Sequence, residues 1–301
     1  MKPFVSVLVR ACNDSQYIRR TLSALVAQKT DFPYEIVVCD NFSVDETPAI
    51  IAEFADRVRT VPSPVGAYVP GRTLNAFVRA ALGELIVFNN ADAVPLDEHW
   101  LAELVKPLRD GLADATFANQ LPRADATWLV RKDSERAFGD GRVSRNWSRF
   151  FSLASSAAMK ADLLANPFDE KLWYNEDTEW ANRRRIRRVY CAEAKVEHSH
   201  NYPDAQLWRR FYGEGYSEQQ IFGDAVPSSA RVMLSVIAET LRDLKYLLPR
   251  PKGWREAFGA FSRRRIQRFA WLHGMRDAAE GREPTIISTT KDSQGKLMEG
   301  R

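Results

Sequence analysis

With 301 residues, 45% hydrophobic and 27% charged, the chain carries enough apolar material for a large packed core, which excludes a disordered, collagenous or coiled-coil protein. Its formal charge of +4 is unevenly placed: residues 1–200 hold 26 basic and 27 acidic side chains, whereas 201–301 hold 17 and 12. Three scattered cysteines (Cys12, Cys39, Cys191) offer neither a disulfide framework nor zinc-site spacing, and no apolar run nears the roughly 18 residues that span a bilayer, so a cytoplasmic protein is expected.

The β-branched apolar run at 4–9 predicts a first strand, entered without the apolar stretch of a signal peptide. Helical spacing follows from Ser15, with Ile18, Leu22, Leu25 and Val26 on one face. A second strand is predicted over 35–39, ending at Asp40, and Pro48 opens a helix over 49–55. A short strand at 58–61, a Pro- and Gly-rich loop, a helix over 74–82 and a strand over 84–88 continue the series. This alternation predicts a mostly parallel sheet with helices on its faces. Arg10, Asn13, Asp40, Asn90 and Asp92 then fall beyond strand carboxyl ends, where open α/β sheets bind ligands. Further on, a helix is expected over 98–106, a strand over 115–118, irregular chain to about 147, and a mixed passage to about 196. Helical periodicity returns at 206–212, 228–248 and 253–275, before a polar tail that is expected to be loose.

Three constellations offer chemistry. Asn90 and Asp92, two residues apart after an apolar strand, suit a hard divalent cation that also holds a diphosphate, and equally suit an Asx turn. Glu176, Asp177 and Glu179 cluster within one helical turn behind Asn175, where they complement the helix dipole or supply a buried general base. His198 and His200 sit two apart at a strand end, so that either imidazole can face a metal.

Their order along the chain is more specific than any one of them. Arg10-Ala-Cys-Asn-Asp14, Cys39-Asp40-Asn-Phe-Ser43-Val-Asp45-Glu-Thr47, Gly71-Arg-Thr-Leu-Asn75, Asn90-Ala-Asp-Ala-Val-Pro95, Asn119-Gln-Leu-Pro122 with Ala124-Asp-Ala126, Pro167-Phe-Asp-Glu170, Glu176-Asp177 and His198-Ser-His-Asn-Tyr202 follow one another. Over about residues 4–203 this series resembles the family 2 glycosyltransferases of the GT-A type, and among them the rhamnosyltransferase-like group. The resemblance implies a GT-A nucleotide-diphospho-sugar transferase fold: a Rossmann-like mixed sheet flanked by helices, here with a C-terminal helical extension. Its implied organisation is a catalytic domain over 1–205, divided into a nucleotide-sugar half (1–97) and an acceptor half (98–205), then a helical region over 206–280 and a flexible tail over 281–301.

The implied activity is inverting, metal-dependent transfer of a sugar onto a hydroxyl of a glycan or lipid-linked acceptor in cell-surface polysaccharide synthesis. L-Rhamnose from dTDP-rhamnose is the first choice of donor, and a UDP-hexose or UDP-galactofuranose is the alternative. Carried over residue by residue, Asp177 is the base, with Glu176 its neighbour and alternative. Asp92, Asn90 and His198 hold Mg²⁺ or Mn²⁺. Arg10, Asn13, Asp40, Arg72, Asn75 and Asn90 face the donor nucleotide, with the Asp40 carboxylate accepting a ring N–H of the base. Gln120 and Asp125 meet the donor sugar or the acceptor. Two positions depart from the family pattern: Asn90 stands where an Asp is usual, and Leu74 where an Arg is usual, with Arg72 nearby as its substitute.

Competing classes fare worse. A catalytically inactive sugar-nucleotide-binding protein is disfavoured because Asp92, Asp177 and His198 survive together. Nucleic-acid binding through the arginines of 183–188 and 263–268 lacks a recognised module and a strong net charge, so no nucleic-acid partner is expected. Residues 242–268 carry nine basic and two acidic side chains beside Trp254, Phe258, Phe261 and Phe269. That mixture suits a membrane surface, a homo-oligomer contact or internal packing, and the three stay open at this point.

Overall fold

A computed structural model of the chain describes residues 2–66, 68–141 and 149–284. The first strand, β1 (Val5–Ala11), lies between β2 (Tyr34–Asp40) and β4 (Leu85–Asn90) and pairs in parallel with both, while β3 (Val58–Thr60) adds a parallel edge to β2. These strands read as continuous apolar runs because helices cover both faces. One face holds α1 (Ile18–Val26), whose Ile18, Leu22 and Leu25 are buried, and α2 (Thr47–Ala52). The other holds α3 (Pro70–Ala80), which buries Leu74 and Phe77 against Leu8 and Phe88. Leu74, the departure from the family's usual Arg, is therefore a core side chain.

Beyond β5 (Val94–Pro95) the chain forms α4 (Trp100–Arg109), β6 (Ala115–Leu121), α5 (Trp128–Ala137), β7 (Ser155–Met159), α6 (Lys160–Ala165), α7 (Glu176–Arg183) and β8 (Arg188–Glu197). Strand order is β3-β2-β1-β4-β7-β6-β8-β5. The mostly parallel sheet expected from alternation is found, with β7 running antiparallel to both β4 and β6 and β5 antiparallel to β8, which gives the mixed sheet. Two successive reversals restore direction, so β6 and its parallel neighbour β8 point the same way as β1, β2 and β4. Residues beyond all five carboxyl ends consequently gather along one edge.

Two expectations change. The stretch after 121 was expected to be irregular, yet it contains α5. Its capping is partly remote: the Thr127 hydroxyl accepts the Val130 N–H at 3.3 Å, while the N–H groups of Trp128 and Leu129 donate to Glu256 at 2.8 and 3.0 Å. The helix predicted over 206–212 runs on as α8 (Asp204–Phe222), straight through Gly213 and Gly215. A Cβ at Gly215 would lie 2.1 Å from the Trp271 carbonyl oxygen, and one at Gly274 2.1 Å from that of Tyr212. The glycines thus allow backbone-to-backbone crossing of α8 with α10 (Gly253–Ala279), which outweighs their poor helix propensity.

Between these helices lies α9 (Ser229–Leu247), antiparallel to α10. Buried Arg264 donates to Asp243 at 2.6 Å and to Asp133 at 2.8 Å, Lys132 reaches Asp243 at 2.5 Å, and Arg268 pairs with Glu239. Part of the basic cluster is thereby neutralised inside the protein. No helix among the described residues is long and apolar enough to cross a membrane. The tail expected to be loose lies, from 285 onward, outside the described residues.

Candidate active site

A cavity of about 840 Å³ opens at the carboxyl edge of the sheet, and a smaller recess of about 160 Å³ adjoins it through Arg10, Tyr68 and Asn90. Two groups of side chains face one another across this space.

The first forms around Asp92, buried two residues past β4, and around the end of β8, where the His198 N–H donates to the Leu121 carbonyl and keeps the chain in line. His198 Nε2 lies 3.5 Å from one Asp92 oxygen and His200 Nε2 3.3 Å from the other. The potential ligand atoms of all three residues fall within 4.8 Å of one another. Burial opposes ionisation of Asp92, but His198, His200 and Arg123 hold its carboxyl well below the usual carboxylate range. Burial and the neighbouring His198 push the His200 imidazole down to about 3, which keeps its lone pair available. One carboxylate and two imidazoles at this spacing are a donor set that fits a divalent cation.

Two side chains orient that set. His198 Nδ1 meets Gln120 Oε1 at 2.8 Å, an arrangement in which Nδ1 donates and Nε2, 3.1 Å from His200 Nε2 and 3.5 Å from Asp92, is left to act as a ligand. Arg123, 5% exposed, donates to the Asp92 carbonyl, to its carboxylate at 3.3 Å and to the Ser199 carbonyl, and its guanidinium lies 3.9 Å over the Tyr17 ring. Sequence reasoning missed Arg123, although it directly follows the Asn119–Pro122 stretch. It also left open the roles of the two histidines, which the structure brings together.

The second group sits at the start of α7. Asn175, left-handed at φ 59°, turns the chain so that Glu176 and Asp177 enter the cavity. Asp177 accepts the Leu153 N–H at 3.0 Å and the Thr178 N–H at 2.7 Å, which fixes both oxygens. Glu176 lies 3.7 Å from Arg10, and Arg10 in turn donates to the Tyr68 hydroxyl at 2.9 Å and to Asn90 Oδ1 at 3.3 Å. Burial raises both carboxyls above their ordinary range, and the neighbouring Asp177 charge adds to the rise at Glu176. Glu179, the third acid, instead pairs with Arg183 at 2.7 Å.

The two groups are connected. Gln120 Nε2 donates to the Ser152 hydroxyl at 2.8 Å, and the next residue, Leu153, is the one that holds Asp177. A single run of polar contacts therefore sets His198 and Asp177 relative to each other.

Other residues singled out from the sequence lie further off. Asp40 accepts the Ser43 N–H at 3.1 Å as well as its hydroxyl, and Asn13 accepts the Val44 N–H at 2.9 Å, so this pair shapes the 41–47 loop. Arg72 is half-buried beside the Gly66 turn. Asn75 is brought to neither cavity nor recess: its amide brackets the backbone of Phe168 at 2.9 Å in both directions and donates to Glu170 at 3.0 Å. Gly71, one turn earlier, lets the same helix touch the Asp169 backbone, where a Cβ would sit 2.2 Å from the carbonyl oxygen. Asp125 is exposed, its carbonyl bound by Asn201. The remaining wall is aromatic and polar: Trp173, Tyr174 and Tyr202, joined by Arg210 and Glu214 from α8 and Trp271 from α10.

Comparison with known proteins bears on this geometry. Residues 6–168 match glycosyl transferase family 2. The O-antigen chain rhamnosyltransferase WbaN of Salmonella anatum is 24% identical over 242 residues, covering 74% of this chain and 76% of that protein. RfbN of Salmonella typhimurium, also an O-antigen chain rhamnosyltransferase, is 25% identical over 246 residues, covering 75% and 78%. Among solved structures, the mannosyltransferase PcManGT from Pyrobaculum calidifontis, in complex with GDP-Man and Mn²⁺, has the same fold, with a TM-score of 0.63 at 18% identity over 94% of this chain and 89% of that one.

Proposed function

The chain belongs to glycosyl transferase family 2, and from that premise we propose that it transfers L-rhamnose, with inversion, from dTDP-rhamnose to a hydroxyl of a glycan or lipid-linked acceptor. The choice of sugar is supported by the two rhamnosyltransferase relatives, each matched over about three quarters of both chains. One observation carries the reaction type: a buried Asp92 with His198 and His200 lies at the same cavity as Glu176 and Asp177, and Arg10 in that cavity contacts both Glu176 and Asn90.

In this reading residues 1–205 are the transferase body, with the donor over 1–97 and the acceptor over 98–205, and helices from 206–280 complete the acceptor wall. Asp92, His198 and His200 would hold a divalent cation, which when bound would supply positive charge for the departing diphosphate. Two imidazoles among three ligands favour Mn²⁺ over Mg²⁺, which prefers oxygen. Arg10 and Asn90 meet the donor beside that site, and Asp40 and Asn13 shape the loop against its base. Asp177, its oxygens fixed by two backbone N–H groups, takes the proton from the acceptor hydroxyl. The acceptor oxygen then bonds to C1 as the C1–O bond to diphosphate breaks on the opposite side, so a β-linked donor gives an α-rhamnoside. Glu176 balances Arg10 and is the alternative proton acceptor.

The test is transfer from dTDP-rhamnose with Mn²⁺, compared between the parent, Asp92→Ala and Asp177→Asn. Loss of donor binding in the first and of turnover alone in the second is expected. Full activity in both variants would sink the assignment.

A further inference from the structure

The acids and bases of the α9–α10 hairpin are sorted by depth. Its acids between residues 229 and 269 all point inward: Glu239 to Arg268, Asp243 to Arg264 and Lys132, and Glu256 to the start of α5. Arg242, Lys245, Lys252, Arg255 and Arg265 are exposed. Large apolar side chains are exposed with them: Leu234 (67%), Leu241 (62%), Leu248 (68%), Trp254 (56%) and Phe258 (83%). The pairs Asp243–Arg264 and Glu239–Arg268, with Leu247 against Ala260, fix the antiparallel register. That register brings Leu241, Leu248, Trp254 and Phe258 to the same end of the hairpin as the cations.

We propose that this end of the hairpin docks on an anionic lipid bilayer. Large apolar side chains left in water are costly, and the hairpin's own exposed charges beside them are all cationic, which is complementary to a negatively charged apolar phase; one exposed acid, Glu135 of α5, reaches this end and accepts from the Tyr246 hydroxyl. Basic stems lie along such a surface while their heads meet lipid phosphates. A second copy of the same chain would bring cation against cation, which the sorting of charge opposes. This inference rests on the hairpin surface and not on the sugar-transfer reading.

The test is co-sedimentation of the full chain, without sugar donor, with vesicles of phosphatidylcholine alone or of equal parts phosphatidylcholine and phosphatidylglycerol. Binding is expected to the anionic vesicles only, and to weaken as salt screens it. Each cation is worth about a fivefold change in partition, so the triple variant R242E/K245E/R255E lowers it by about a hundredfold or more. Leu241→Ser with Phe258→Ser lowers it as well, at a nearly unchanged melting temperature, because both side chains are largely exposed and the ring that Phe258 meets, Trp254, is itself exposed. Failure of the parent to bind anionic vesicles at low salt overturns the proposal, as does binding insensitive to both variants. So does a dimer in solution that the L241S/F258S variant splits. Transferase activity is scored separately, so either reading can fail while the other stands.

Discussion

Gln120→Leu tests the connection between the two halves of the site. The substitution keeps the bulk of a buried side chain but removes the 2.8 Å contact to His198 Nδ1 and the 2.8 Å donation to Ser152. Without an acceptor for Nδ1–H, His198 loses both its fixed tautomer and its ring orientation, and its Nε2 is no longer held toward Asp92. Loss of such an outer partner costs a metal site about 10- to 100-fold in affinity, or roughly 1.4–2.8 kcal/mol. Isothermal titration with Mn²⁺ should therefore give a Kd raised by that factor. Gln120→Glu, which still accepts from Nδ1, should stay within a few-fold of the parent. Because Ser152 precedes the residue that fixes Asp177, turnover at saturating Mn²⁺ should also fall in the Leu variant. An unchanged Mn²⁺ affinity in Gln120→Leu, in a protein that melts normally, would refute the reasoning, since His198 would then be oriented by something else.

Asp177→Asn keeps one of the two backbone contacts, through its amide oxygen, but cannot take a proton, so kcat for transfer should fall about 10²- to 10⁴-fold with donor affinity retained in a binding assay. Since burial raises both acids, turnover should climb with pH through a pKa above the ordinary carboxylate range, and a profile flat from pH 5 to 8 would count against either acid as base. Asp14, raised by burial to about 7 from 3.8, stays protonated in the folded protein where the unfolded chain has already ionised. Stability from this group is thus complete below pH 4 and declines toward pH 7, by up to ~4 kcal/mol. Asp14→Asn should flatten the decline in urea midpoints measured without divalent cations, and parallel curves would exclude the assignment. Gly215→Ala drives a methyl to 2.1 Å from the Trp271 carbonyl oxygen and should cost about 1–3 kcal/mol, visible as a melting temperature several degrees lower.

What the sequence made legible, and what it hid, divides by the range of the interactions. β1, β2 and β4 are readable because each is a continuous apolar run between helices, and Asp92, Glu176, Asp177 and His198 because they follow motifs in order. β7, Ser-Ser-Ala-Ala-Met, has neither β-branched residues nor alternation, so its antiparallel insertion has no local signature. α5 owes two of its first hydrogen bonds to Glu256, more than a hundred residues away. Within the site, Gln120 reaches His198 across 78 positions and Arg123 reaches Ser199 across 76. No window of sequence contains both partners. Asn75 shows the reverse: the resemblance implies donor contact for this motif residue, and in the structure its amide is bonded to the loop that leads toward Glu176.

The same division runs through the candidate site itself. Arg10, Asp40, Asn90, Asp92, Gln120 and Arg123 all lie within residues 6–168, the span that matches the family. Glu176, Asp177, His198 and His200 lie beyond it, as do Trp173, Tyr174, Tyr202, Arg210, Glu214 and Trp271 of the cavity wall. Arg10 joins the two spans by its contacts to Asn90 and Glu176, and Gln120 joins them by its contact to His198. The helices that a composition count marks only as a basic tail cross one another closely at Gly215 and Gly274, are tied to the body through Arg264–Asp133 and Lys132–Asp243, and bring Arg210, Glu214 and Trp271 to the wall of the same cavity as the acid pair. The small net charge of +4 conceals this arrangement: Asp92, Glu176 and Asp177 of the body converge on the candidate site, acids of the α9–α10 hairpin pair inward, and Arg242, Lys245, Lys252, Arg255 and Arg265 are left exposed along with large apolar side chains.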